Sequence, residues 1–281
     1  MTAVLYDVPG PSARRRALVG TVIGTAFILG VLALVLWQFE RTGQFASSQW
    51  SPFTDPGIQR FLLRAVLSTL TAAGTAILLS LALGVVLAAG RLSNHAALRV
   101  PSTLFVEFFR AVPLLLLILF LFLGFGDVLG AFGALVLALT LYNGSVLSEI
   151  FRAGIAAVPR GQSEAAYALG LRKRQVMLII LVPQAVRIML PVIVSQCVVA
   201  LKDTALGFVI AYEELLRQGQ LIYNNFSNVV PTILVVATIY IVMNSALSLI
   251  AGYLQRRTSR TGKASTADLT TAVVSANRDL V

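Results

Sequence analysis

Inside otherwise apolar runs the sequence places two acid–base pairs three residues apart, Glu107 with Arg110 and Glu149 with Arg152. On a helix, residues at that spacing share a face, and a charge at bilayer depth costs roughly 2.5–3.5 kcal/mol on insertion scales. Each pair therefore either neutralises itself and locks two helical turns, or faces a polar solute; both readings stand at this point. Further polar groups occupy the same runs: Asn143, Ser145, Ser148, Arg187, Ser195, Gln196, and the adjacent Lys202 and Asp203. Lys202 and Asp203 likewise admit two readings, as markers of a membrane interface or as lining of a pathway. These residue types support non-covalent recognition of a charged solute rather than bond chemistry. The single histidine, His95, and the single cysteine, Cys197, supply no metal set and no internal disulfide. Nothing places a serine and an acid beside His95. No GxxxxGK[ST] loop occurs, so nucleotide hydrolysis by that chemistry is not expected. We assign the chain no catalytic residue, bound cofactor or metal.

What must position these groups is a set of membrane helices. Hydrophobic residues make up 57% of the chain and charged ones 12%, too apolar a balance for a soluble domain. The net charge of +10 does not point to nucleic acid, because the cations lie between hydrophobic spans instead of on one basic face. Crossing a bilayer takes about 20 apolar residues, and six stretches qualify: 17–37, 62–90, 103–123, 129–151, 176–201 and 230–254. The first follows Arg14, Arg15 and Arg16 as a signal peptide would. Its apolar run is longer than a signal core and no convincing cleavage site follows, so it is read as a retained helix, with Gly20 and Gly24 as a small-residue packing pair.

Orientation follows from the cations. Arg14–Arg16, Arg91, Arg99, Arg160, Arg172, Lys173, Arg174 and the basic tail fall in alternate loops, whereas the intervening loops are nearly balanced. Because lysine and arginine stay cytoplasmic, both termini are expected inside, with residues 1–16 a cytoplasmic segment and residues 257–281 a disordered tail.

The stretch QSEAAYALGLRKRQVMLIILVPQA, residues 162–185, stands out in the loop between the fourth and fifth spans. Its alanines favour helix, Gly170 is placed as the left-handed residue that ends one, and a new helix is expected from about Arg172. The product is a short helix, a glycine turn and a membrane helix leaving in another direction. Taken alone, the three cations after the turn read as headgroup anchors. The whole pattern is more specific: Glu164, Ala165, Ala166, Gly170, nine residues to Ile180, then Pro183 resembles the EAA loop of permease subunits of ATP-binding-cassette importers. Val182 stands where that pattern has leucine. The stretches FVEFFRAVPLLLLILFL (105–121), LYNGSVLSEIFRAGIAAVPRGQSEAA (141–166), VPQAVRIMLP (182–191) and LKDTAL (201–206) are similar to polar amino-acid permeases, most of all glutamate-uptake members. The resemblance covers roughly residues 58–256 and leaves the first helix outside it as an addition.

The resemblance implies an all-α polytopic membrane protein with the type I importer permease fold: six transmembrane helices and a cytoplasmic coupling helix within residues 159–183. It implies Gly161, Glu164, Ala165, Ala166, Leu169 and Gly170 as the residues that dock on an ATPase. That ATPase dimer, with its ATP and Mg, is a separate polypeptide. Further implied partners are a second permease subunit, a paralogue being favoured over a second copy, and an extracytoplasmic solute-binding protein, all in a bacterial cytoplasmic membrane. An amino-acid zwitterion needs an acceptor for its ammonium and donors for its carboxylate. Asn143, Ser145, Ser148, Glu149, Ser195 and Gln196 supply both kinds, and Arg110, Lys202 and Asp203 complete the expected pathway. The excess of cations there favours an acidic or neutral amino acid. The rival reading is an ion-driven secondary transporter, which would need a coupling-ion site.

Overall fold

A computed structural model of the protein describes residues 10–250 and 252–253, and among them every regular element is helical. The order is α1 (Pro11–Arg41), a short α2 (Ser47–Trp50), α3 (Pro56–Arg91), α4 (Ala96–Ala111), α5 (Leu114–Ala156), α6 (Arg160–Ala168), α7 (Lys173–Ile210), α8 (Leu215–Phe226) and α9 (Val229–Ile250). The expected tail at 257–281 lies outside the described residues. Five of these helices, α1, α3, α5, α7 and α9, are long and apolar enough to cross a membrane. In lipid a helix satisfies its own backbone groups, which is why apolar runs of this length take that form.

The third expected span, 103–123, does not form as one helix. The run at 103–123 is cut at Val112 and Pro113, because a residue before proline is pushed out of the α region and Val112 accordingly sits at φ −75°, ψ 127°. From Leu114 the chain continues for 43 residues to Ala156, with a single non-helical residue, Gly130, at φ 64°, ψ 177°. That conformation is essentially open only to glycine. Leu117, Ile118 and Leu121 before it and Ala134, Leu135, Ala138 and Leu139 after it share one buried cluster, so α5 folds back on itself. Residues 103–111 of the third expected span thus belong to α4, its remainder is the first limb of α5, and the fourth expected span is the limb after the break at Gly130.

Helices approach closely where residues are small, which is the packing available in lipid, where apolar burial between helices offers no drive. A side chain at Gly84 on α3 would come within 2.9 Å of Leu147 Cβ, and one at Gly144 on α5 within 2.9 Å of Leu83. Ser80 Oγ donates to the Leu139 carbonyl across the same seam (3.4 Å). A second cluster, with Ala88, Phe151, Ala185 and Met189, joins the ends of α3 and α5 to α7, and a third joins the start of α3 to α8 and α9. Helix α1 has no buried residue, and its Gly20 and Gly24 meet no atom within 4 Å. Apolar all round, it is a helix dressed for lipid.

Candidate functional site

The corner between α5 and α7 is built by backbone chemistry. Pro159 precedes α6 with its φ at −54°, the preset angle of a helix start. At the other end Gly170 takes φ +76°, its N–H donates to the Tyr167 carbonyl (2.9 Å), and the Leu171 N–H reaches back to the Ala166 carbonyl (3.2 Å). Those two bonds are the Schellman pair that closes a helix on a left-handed residue. The following helix starts one residue later than expected, at Lys173, with the Arg172 N–H donating to Gln175 Oε1 (2.9 Å).

The corner is also tied to the bundle. Gln184 Nε2 donates both to Gln162 Oε1 on α6 (3.3 Å) and to the Ile180 carbonyl (3.0 Å). Ile180 lies in a π-helical stretch, Val176–Leu181, just before Pro183, whose missing N–H disturbs the ladder there. Lys173 Nζ donates to the Leu92 carbonyl at the end of α3 (3.0 Å) and to Asn94 Oδ1. One of the three cations thus serves the protein's own joint, while Arg172 and Arg174 are exposed. On α6 itself Gly161, Glu164, Ala165, Tyr167 and Leu169 face outward, with Leu169 82% exposed. Ala166 does not share that face. It is buried within the corner.

Deeper in the bundle, some of the expected polar residues meet. Asn143 is buried on α5; its Oδ1 accepts from Gln196 Nε2 on α7 (2.7 Å) and its Nδ2 donates to the Leu139 carbonyl (3.1 Å). Asp203, two turns beyond Gln196 on the same helix, is half-buried. Ser145 is buried and donates to the Leu141 carbonyl (2.8 Å). The buried Ser148 hydroxyl has no partner among the described residues. Ser195 and Lys202 are not brought to this group: Ser195 is exposed and bonds its own helix at Pro191 (3.1 Å). Lys202 is exposed beside an apolar cavity of about 630 Å³ walled by Tyr223, Val236, Tyr240 and Asn244.

Both acid–base pairs form, and Arg91 joins them. Glu149 is bound by Arg152 on its own helix and by Arg91 Nη1 (2.6 Å), while Arg91 Nη2 lies 3.6 Å from Glu107, which Arg110 approaches at 3.7 Å. The Arg91 side chain is only 9% exposed. Arg110 and Glu149 are therefore members of a five-residue network across α3, α4 and α5. The signal for Arg91 was its place at the end of the small-residue run ALGVVLAAGR, which brings that helix end against its neighbours.

A second buried acid went unread. Glu214, before α8, is fully buried, and its carboxylate accepts from the N–H groups of Leu216 (2.7 Å) and Arg217 (2.6 Å) and from the Tyr240 hydroxyl (2.7 Å). Burial raises its carboxyl above the ordinary value, against the pull of those three bonds. An acid preceding an amphipathic helix is a capping signal, and here it fastens the 211–228 segment. Thr69 Oγ1 on α3 accepts from the Leu215 N–H (3.1 Å), and the Tyr212 hydroxyl donates to the Ser68 carbonyl (2.9 Å).

Similarity to known proteins agrees with this geometry. Residues 80–260 match the family described as binding-protein-dependent transport system inner membrane component. The glutamate transport system permease protein GluD of Corynebacterium glutamicum is 41% identical over 229 residues, covering 79% of this chain and 84% of that protein. The glutamate/aspartate import permease protein GltK of Escherichia coli O6:H1 is 35% identical over 71% of this chain and 94% of its own length. The probable glutamine ABC transporter permease protein GlnP of Bacillus subtilis is 37% identical over 70% and 93% respectively. Among solved structures, an amino acid ABC transporter with histidines matches at a TM-score of 0.67 with 29% identity, over 71% of this chain and 94% of its own. The MetNI methionine ABC transporter shares the fold, with a TM-score of 0.62 at 18% identity. With a helical corner, a folded-back core and a family match over most of its length, the chain belongs to the inner membrane components of binding-protein-dependent transport systems, as a multi-pass permease of the amino-acid ABC type.

Proposed function

We propose that this permease imports a polar amino acid, glutamate or a related acidic or neutral one, in a complex driven by a separate ATPase dimer that uses ATP and Mg. The printed cargo of the three relatives named above is glutamate, glutamate/aspartate or glutamine, and the cation excess around Arg91, Arg110 and Arg152 suits an anionic solute. A paralogous permease is favoured as partner; Bacillus subtilis carries two similar chains, GlnP and GlnM. A solute-binding protein would deliver cargo to the 207–229 segment. In this reading both termini and α6 lie in the cytoplasm of a bacterium, the permease core runs over 58–256, and 17–37 is an added anchor.

The observation that carries the proposal is the corner. Its outward face is uncovered, with Leu169 82% exposed, while its other side is bolted to α7 through Gln162 and to α3 through Lys173. ATP binding would draw two such corners together and rock the bundles, alternating access by rigid-body motion. Leu169→Asp tests it, since an exposed substitution changes stability by only about 0.5 kcal/mol. The subunit should insert normally, lose its ATPase on purification and lose uptake. Normal ATPase retention with normal uptake would overturn the assignment.

A further inference from the structure

Between α1 and α3 runs a connector, residues 42–54, that is far more ordered than a tether has to be. It forms the short α2 and a tight turn at Ser51–Thr54, closed by Trp50 Nε1 donating to the Gln44 carbonyl (3.0 Å) and Thr54 Oγ1 donating to the Ser51 carbonyl (2.7 Å). Gln59 Nε2 on α3 donates to the Phe53 carbonyl (3.0 Å), and the Phe53 ring packs on the cluster of Leu62, Leu215 and Ile222. The remaining tie comes from between α8 and α9. Asn228 is fully buried there; its Nδ2 donates to the Gln49 carbonyl (3.0 Å) and its Oδ1 accepts from the Thr232 hydroxyl (3.0 Å). Burying an amide is costly unless it is hydrogen-bonded, and the connector supplies one of these bonds. Asn228 follows Ser227, whose φ of 54° ends α8, so the clasp fixes the turn from α8 into α9. It lies at the far end of α3 from the corner: that helix runs 36 residues, about 54 Å, before Lys173 meets Leu92. Helix α1 itself has no buried residue, so the connector is what docks on the core.

We infer that the connector and the clasped α8–α9 turn form one docking face for the solute-binding protein, so that the N-terminal addition supplies part of the contact as well as an anchor. Neither 42–54 nor 218–228 contains a charged residue or a histidine. Lipid headgroups are held by cations, which this face lacks. The core of a protein interface is instead poor in charge and rich in aromatic rings. Ser47, Ser48, Asn224 and Asn225 are exposed here, and so are the Phe45 and Phe226 rings, which gives a partner hydrogen-bonding groups around apolar contacts. The clasp also restrains the turn before anything binds, and a surface ordered in advance loses less entropy on association. The inference rests on the proposed delivery of cargo to 207–229 and deepens it, by extending the receiving surface to residues that precede the family match at 80–260.

The test is association of the glutamate-loaded binding protein of the same transport system with the complete complex in nanodiscs, followed by interferometry. Ser48→Trp and Asn225→Trp, both at exposed positions, should each weaken association at least tenfold with melting temperatures unchanged, whereas Phe27→Ala on α1 should leave it as in the wild type. Asn228→Ala should release the connector: amides 44–54 should exchange faster, those of α5 should not change, and association should weaken at least threefold. Wild-type association by Ser48→Trp, with Asn225→Trp impaired, would overturn the inference and leave the connector a strap on the core. Faster exchange in Asn228→Ala with unchanged association would overturn it as well. A wild-type complex that imports glutamate without any binding protein would instead overturn the functional proposal itself.

Discussion

Gly170→Ala probes the corner with the least collateral change. The residue sits at φ +76° and a Cβ built on it meets nothing within 4 Å, so no clash is added. What remains is the left-handed backbone penalty of an L side chain, about 1–2 kcal/mol. That penalty falls on the turn closed by the N–H groups of residues 170 and 171, at 2.9 and 3.2 Å. With tenfold per 1.4 kcal/mol, local opening should rise about 5- to 30-fold. Hydrogen exchange of the complex in nanodiscs reads this directly: amides 170 and 171 should exchange faster by that factor, and those of α8 should not change. Uptake should fall severalfold without loss of inserted protein, because a frayed corner transmits less displacement. Gly170→Pro, which removes the N–H and forces φ towards −65°, should abolish uptake. Unchanged exchange in the alanine variant would show that the turn is not held by this cap. Faster exchange with undiminished uptake would show that the corner carries no force.

The ion network and the buried acid give two further expectations. Arg91→Met removes a side chain only 9% exposed that bridges Glu107 and Glu149, and should destabilise by about 1–3 kcal/mol; combining it with Glu149→Gln should recover part of that loss in a thermal melt, and strict additivity would refute the bridge. Glu214 has its folded carboxyl raised above the ordinary 4.5 by burial, so the stability it contributes is complete below that value and is lost as pH rises through the raised one; melts from pH 4.5 to 8 should fall more steeply for the wild type than for Glu214→Gln, and parallel curves would refute the sign.

Features set by a few neighbouring residues were legible, and features set by which helices meet were not. Gly170 was readable as a left-handed cap because a Schellman closure depends on six consecutive residues, all in view. The pairs Glu107–Arg110 and Glu149–Arg152 were readable because helical spacing alone brings them together. The break at Val112 has an equally local cause in Pro113, but mean hydropathy over 103–123 is blind to it. A break between the runs 103–123 and 129–151 was expected, but that it is a single residue, Gly130, and that Ile118 packs on the Leu135 side across it, is decided by tertiary contact. Arg91 was grouped with the loop cations because its acids are 16 and 58 positions away, and Glu214 went unread because its capping donors mean little without Tyr240.

Lys173 shows how much turns on that distinction. As one of three consecutive cations it is indistinguishable from a headgroup anchor, yet in the fold it binds the carbonyl of Leu92, the residue that caps the end of α3. Arg91, one residue before, opens the ion network. On the proposed function, a displacement of the corner would have two routes into the bundle, along α7 and into the end of α3. A permease whose α6 moved α7 alone would not need a lysine at that position to hold a helix 81 residues away.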